Sequence, residues 1–259
     1  MPFIDDSFFA LYRGGNPART PIILLHGMGS SHLVWPGSIR RLEGENVYAL
    51  DLPGHGKSGG NGLQLISGYA SIVVQFMDEA KIYRAILIGH SMGSAIALQV
   101  ARDHSERVVG LGLLSVGTSF HIEKSVQESI ENTKMLSDSV ECLSKKLFGR
   151  KIDKRLADKV VKGLSEVRPT VLAADIHACM GYQFRKFQET ISISTRIING
   201  AEDQIVPPRD AILLAESIPG AELEIISHSG HMVMLEESEQ VGELLTSFVK
   251  KVNSTIHYA

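Results

Sequence analysis

The chain of 259 residues has little of several things that define other protein classes. It holds two cysteines, Cys142 and Cys179, with no CxxC pair and no cluster of ligand-type neighbours. That argues against a disulfide scaffold or a zinc ribbon; both thiols read as small buried hydrophobes, with a single bridge between them the alternative. An excess of one charge is also missing. With 26 Lys and Arg against 29 Asp and Glu, the formal net charge is −3, so no global positive field draws the protein to nucleic acid or anionic lipid. No apolar run approaches the roughly 18 residues of a membrane span. The opening MPFIDDSFFALYRGG puts two aspartates where a secretory leader carries basic residues and a long apolar core. The expectation is a cytoplasmic protein in a reducing compartment. Internal repeats and low-complexity segments are absent as well.

What is present is a soluble composition, 44% hydrophobic and 21% charged, on a chain whose length fits one large α/β domain with an insertion, or two small domains. Short apolar runs bounded by Gly, Pro or Asp recur: PIILLHG from Pro21, VYALDLPG from Val47, RAILIGHS from Arg84, VVGLGLLSVG from Val108, TRIINGAED from Thr195 and AELEIIS from Ala221. They are nearly continuous in apolar content rather than alternating. Strands buried on both faces read this way, which implies a parallel sheet between helices. SFFALYRGG near the start suggests an added antiparallel edge strand.

Helical patterns fill the intervals: Ile72, Phe76 and Ala80; Ile96, Val100 and Ala101; Ala211, Leu214, Ala215 and Ile218; Val241, Leu244, Leu245 and Phe248. The alternation predicts a doubly wound, mostly parallel sheet. From about Thr118 to Ser194 it breaks. Asp153 reads as an N-cap ahead of Leu156, Val160, Val161 and Leu164 on one face. A second helix is expected from Thr170, after Pro169, past Phe184. The division predicted is a core of residues 1–117 and 195–259 with a helical cap at 118–194.

Chemistry enters at ILIGHSMGSA, Ile86 to Ala95. A strand that turns sharply into a helix forces strained angles on the turn residue, and the positions two before and two after it must be small. Gly89 and Gly93 meet that demand and Ser91 is presented at the sheet end, a Gly-x-Ser-x-Gly nucleophile elbow. The alternative for the serine is a plain helix cap. Serine needs a base to become a nucleophile, and two partners stand downstream at strand ends: Asp203 in NGAEDQIVP and His231 in SHSGHMVMLEE. Parallel strands bring their C-terminal ends to one edge, where the three can meet.

The blocks LLHGMGSS, DLPGHGKS, GHSMGS, NGAEDQIVP and SGHMVMLEE, in this order over residues 20 to 237, resemble the α/β-hydrolase family, in its serine esterase and lipase branch with a helical cap. The resemblance implies Ser91 as nucleophile, His231 as general base and then acid, and Asp203 as the residue that orients the imidazolium. It also implies an oxyanion hole built from the backbone N–H groups of Met28 and Met92, with Gly27 and Gly29 admitting the backbone. Glu202 is the rival acid and His228 the rival base.

His26 is expected to brace its loop, Asp51 and His55 to form a tight turn, Trp35 to pack beneath the oxyanion loop, and His90 to line the pocket or pack. GHGKS is no phosphate loop, because Asp51 occupies the first glycine position of that motif. The substrate-binding candidates are Gly27, His90, Phe120, Met180 and Phe184, with Met135, Leu136, Leu147, Phe148 and Phe187 as further cap residues. Their apolar character points to a hydrophobic acyl or alcohol group.

The activity expected is cofactor-independent cleavage of carboxylic esters, with no metal. Lactones, thioesters, monoacylglycerols and carbon–carbon bonds are alternatives on the same triad, as is a receptor role for a small molecule. Epoxide hydrolases and haloalkane dehalogenases of this fold use Asp where this chain has Ser91. The proline-iminopeptidase branch usually carries Trp where this chain has Met92. Eight Lys or Arg against two Asp between Lys145 and Lys162 read as a solvated face, or as a docking patch for an acidic carrier protein.

Overall fold

A computed structural model describes residues 3–4, 6–16, 19–129, 138, 141, 143–184 and 191–256. Among these, eight strands form one sheet: β1 Phe3–Ile4, β2 Ser7–Arg13, β3 Ile22–Leu25, β4 Asn46–Leu50, β5 Ala85–His90, β6 Val108–Leu114, β7 Thr195–Gly200 and β8 Glu222–Ile226. Their order is β1-β2-β4-β3-β5-β6-β7-β8. From β4 to β8 every pairing is parallel, and β2 joins β4 antiparallel. The segment expected at the edge is therefore one strand in from it, with the two-residue β1 outside.

The continuous apolar runs are explained by two cores. Alternate side chains of β3 go to opposite faces: Ile23 and Leu25 join one core with Leu87, and Ile22 and Leu24 join the other with Ile86 and Ile88. Each such side chain is fully buried, a gain of about 1.5–3 kcal/mol apiece before conformational entropy is charged. The first face is covered by α2 (Ile66–Glu79), α3 (Met92–Asp103) and α7 (Pro208–Ser217), the second by α1 (Gly37–Arg40) and α9 (Ser238–Ile256). In α2 the inward stripe is Ile66, Tyr69, Ala70, Val73, Phe76 and Met77. Ile72 lies off that stripe and Ala80 is the C-cap. Of the expected trio, only Phe76 is buried.

Between β6 and β7 the described chain builds α4 (Lys124–Ser129), α5 (Lys154–Ser165) and α6 (Pro169–Gly181). Asp153 caps α5 by accepting the Leu156 N–H at 3.0 Å, with Leu164 the one fully inward residue of its apolar face. Pro169 opens α6, where a missing N–H costs nothing. That helix ends at Gly181, short of the expected Phe184. The chain instead turns extended at Tyr182, pairs Gln183 with Ser119, and gives the Phe184 N–H to the Thr118 carbonyl at 2.8 Å. The two ends of the insertion are thus stitched together. Cys142, Met135, Leu136 and Phe187 lie outside the described residues; Cys179 is a buried free thiol. No described helix is long and apolar enough to cross a membrane.

The order β4-β3-β5 is a switch point: the chain leaves β3 toward one side of the sheet and reaches β5 on the other. A crevice opens at the C-terminal ends of such a pair. The loop after β3 holds Met28, and the turn after β5 holds Ser91.

Candidate active site

Ser91 sits between β5 and α3 with φ 52° and ψ −117°, in the positive-φ region that a non-glycine residue occupies only when its surroundings compel it. The compulsion is visible in the neighbours. A side chain at Gly89 would overlap the backbone of Gly93, and one at Gly93 would overlap the Leu25 carbonyl of β3. The elbow is locked from behind by the Ser91 N–H to the Leu114 carbonyl at 2.8 Å, and by Ser94 Oγ, which exchanges hydrogen bonds with the Leu114 backbone.

His231 Nε2 lies 2.9 Å from Ser91 Oγ, and His231 Nδ1 lies 2.9 Å from Asp203 Oδ2. Asp203 Oδ1 accepts the N–H groups of Ile205 and Val206 at 2.8 Å each. A carboxylate so loaded has only acceptor character left, so the Nδ1 proton belongs on His231. Nε2 is then bare toward the serine hydroxyl. All three residues are buried. The rivals point elsewhere. Glu202 accepts the Arg150 N–H at the surface, and exposed His228 stands 3.8 Å from Glu202.

The flanking histidines have defined protonation. His90 Nε2–H donates to the His231 carbonyl at 2.9 Å. Burial first, and then the neighbouring His231, push its pKa down to about 3, so the ring is neutral. His26 donates from Nδ1 to the Gly27 carbonyl at 2.8 Å and accepts the Leu52 N–H at Nε2 at 3.0 Å. Burial, then the charge on His55, lower it to about 4. It therefore braces its own loop, as expected, and ties that loop to the end of β4. Asp51 takes up His32 and the Lys57 N–H; these hydrogen bonds outweigh burial and hold its carboxyl below the usual range. That is the structural turn read from DLPGHGKS.

Ser91 and His231 open into a cavity of about 720 Å³. Gly27, Met28, His90 and Phe120 line it, as do Val126, Leu147, Val160, Leu164 and Met232. Three expected lining residues are elsewhere. Met180 is 38% exposed near the end of α6, and Phe184 is fully buried in the core that contains Tyr182 and Ala178. Phe148 packs against the second core instead. Met92, the residue after Ser91, is fully buried in the first core with α3. Trp35 is fully buried in the second core.

Two acids escaped the sequence reading. Glu236, in α8 (Val233–Glu236), accepts the Gly149 and Gly230 N–H groups at 2.7 and 3.0 Å, next to His231. Burial raises its pKa. Asp175 of α6 is fully buried and accepts from Gly29, His55 and Tyr69. Among the described residues no group of three His, Cys, Asp or Glu is arranged to hold a metal ion.

The mostly parallel eight-stranded sheet and the serine turn at its switch point define the architecture of an alpha/beta hydrolase. The chain belongs to the alpha/beta hydrolase family, whose model matches residues 22–244. It is 31% identical over 247 residues to a dihydrolipoyllysine-residue acetyltransferase component of the acetoin cleaving system from Cupriavidus necator, covering 90% of this chain but 64% of that longer protein. It is 24% identical to the Bos taurus monoacylglycerol lipase ABHD6 over 97% of this chain and 81% of the relative. In fold it matches an esterase from Exiguobacterium antarcticum with a TM-score of 0.84 and 24% identity, covering 94% of this chain and 95% of the other.

Proposed function

We propose that the protein is a serine hydrolase that cleaves carboxylic esters with a small to medium hydrophobic acyl or alcohol group, without a cofactor. Ser91 Oγ attacks the ester carbonyl carbon while His231 Nε2 takes its proton. Asp203 holds the imidazolium so formed. The carbonyl oxygen becomes an oxyanion, held by the N–H groups of Met28 and Met92. His231 then gives its proton to the leaving alkoxide as the carbon–oxygen bond breaks, leaving an acyl-serine. Water, deprotonated by His231, adds to that acyl group. Collapse returns the proton to Ser91 and releases the acid.

The observation that carries this reading is the chain of two 2.9 Å contacts from Asp203 through His231 to Ser91, opening into a cavity walled mainly by apolar side chains. Residues 118–194 act as the cap that shapes this cavity over a core of 1–117 and 195–259. Hydrolysis of p-nitrophenyl esters of graded chain length tests the reading. The wild type should give a burst of nitrophenol and Ser91→Ala none. Near-normal turnover by Ser91→Ala would overturn it.

An acyl group delivered on an acidic carrier protein is a second reading, favoured by the basic edge of the same cavity, where Lys146, Lys159 and Lys162 stand. Lys146 and Lys162 already face Glu123 and Glu166, so the carrier would compete with internal carboxylates. Turnover of a carrier-bound ester that does not change between low and high ionic strength would eliminate it.

A further inference from the structure

Asp175 belongs to α6, in the insertion, yet every donor to its carboxylate comes from the sheet domain. Gly29 N–H reaches Oδ2 at 2.9 Å, His55 Nε2–H reaches the same oxygen at 2.8 Å, and Tyr69 O–H reaches Oδ1 at 2.5 Å. The side chain is fully buried. A carboxylate withdrawn from water is costly unless it is paired and hydrogen-bonded.

Its counter-charge can be identified from donor and acceptor geometry. His55 Nδ1 stands 3.0 Å from the Pro53 carbonyl, while Nε2 faces the carboxylate. Both partners are acceptors, so both ring nitrogens carry protons and the ring is an imidazolium. Although burial opposes the charge, Asp175 raises the His55 pKa overall. Asp175 and His55 thus form a buried ion pair linking the insertion to the DLPGHGKS turn.

The third donor gives the pair a consequence for chemistry. The Met28 N–H and the Gly27 carbonyl share one planar peptide, and His26 Nδ1–H holds that carbonyl at 2.8 Å. The next peptide carries the Gly29 N–H, which Asp175 holds. Both planes flanking the Met28 Cα are therefore anchored, and the direction of the Met28 N–H follows from them. Gly29 itself has φ +62°, and a side chain there would run into Leu164 of α5 and stand 3.3 Å from Leu172 of α6. The loop is pressed against the insertion and fastened to it at one charged point.

We propose that Asp175 is a positioning residue for the oxyanion hole: from the cap it fixes the peptide that aims the Met28 N–H at the developing negative charge. The role rests on the serine hydrolase reading above. It acts on the transition state and not on ground-state binding, because the N–H matters most once the oxygen is charged.

The experiment compares wild type, Asp175→Asn and Asp175→Ala on p-nitrophenyl butyrate, together with affinity for a trifluoromethyl ketone, which loads the oxyanion hole, and for butyrate, which serves as a ground-state ligand. Asp175→Ala should lower kcat by about 10- to 100-fold, less than or near the loss of a whole oxyanion donor. KM and butyrate affinity should stay within about twofold, since ground-state contacts are untouched. Affinity for the ketone should fall in step with kcat/KM. Asp175→Asn, which keeps the volume and one acceptor oxygen, should fall between the two. Unchanged kcat and ketone affinity in both variants, or losses carried by KM, would overturn the role.

Should both variants fail to fold, amide exchange in the wild type decides: a Gly29 amide exchanging at an unprotected rate would overturn it, and a protected one supports it. Labelling of wild-type Ser91 by a fluorophosphonate separates the two readings. A protein that is not labelled loses the hydrolase reading and this role with it. A labelled protein with indifferent Asp175 variants loses this role alone.

Discussion

The backbone carbonyl of His231 accepts a hydrogen bond from His90 Nε2–H at 2.9 Å, and Ser115 Oγ–H donates to the same oxygen at 2.8 Å. His231 is thus held through its own main chain by the residue that precedes Ser91 and by one at the end of the next strand. The position of the imidazole relative to Ser91 depends on both donors. His90→Ala should reduce kcat by about tenfold with little change in KM, as expected of a small misplacement of the base. His90→Gln, which can offer an N–H in the same direction, should recover part of the loss. Steady-state kinetics on a short-chain ester measure both.

The two neighbouring acids can be told apart by substitution. Asp203→Asn removes the charge behind the imidazole and permits the wrong tautomer, so kcat should drop on the order of 10³- to 10⁴-fold. Glu202→Gln alters a surface contact to Arg150 and His228 and should leave kcat within about twofold. Equal losses in both variants would contradict the assignment of Asp203.

Two glycines should respond in opposite directions. Gly93→Ala drives a methyl group into the Leu25 carbonyl, with backbone on both sides and no flexible side chain to yield. It should destabilise the fold by about 3 kcal/mol or more. Gly163→Ala adds a methyl where nothing lies within 4 Å, inside helix α5. It should stabilise by about 0.5–1 kcal/mol through reduced backbone freedom in the unfolded chain. Urea unfolding followed by circular dichroism gives both values.

Stability should peak near neutral pH, with each limb traceable to named histidines. His26 and His90 have folded pKa values lowered to about 4 and about 3. As pH falls through the ordinary histidine value near 6.5, the unfolded chain takes up two protons that the folded one refuses. Stability is therefore lost on the acid side with a slope of up to two protons. His55 behaves oppositely, since its folded pKa is raised. Its contribution is complete below the unfolded value and disappears as pH rises through the folded one. Unfolding free energies from pH 5 to 9 test this. His90→Gln should flatten the acid limb, and His55→Gln the alkaline limb.

The strands could be read from the sequence because a strand buried on both faces leaves an unbroken apolar run, as in IILL and AILIGH, that few other structures produce. Ser91 and Asp203 were legible for a related reason: each follows such a run, β5 and β7, and parallel strands end at one edge; His231 follows β8, a half-buried edge strand with two glutamates, and was legible from the SGHMVMLEE block instead. The helical insertion was harder. An apolar side chain facing a cavity and one facing the core look alike in a sequence, so Phe120 and Phe184 were indistinguishable until α6 ended at Gly181. Asp175 and Glu236 were invisible for a different reason. An acid in ADIHA or MLEE reads as part of a solvated helix face, and the groups that satisfy Asp175 are 106 to 146 residues away. Nothing local marks an acid whose donors come from such distances.

The pairing of Ser119 with Gln183 makes the excursion between β6 and β7 a loop closed at its own neck. Such a unit can be exchanged for another of different length without disturbing the register of the sheet. The exchange has one condition: an incoming unit that brings no acid to the place of Asp175 leaves His55 Nε2, the Gly29 amide and the Tyr69 hydroxyl without the oxygen atoms that receive them. Grafts onto this scaffold should be chosen first for that single carboxylate and only afterwards for the shape of the chamber they enclose.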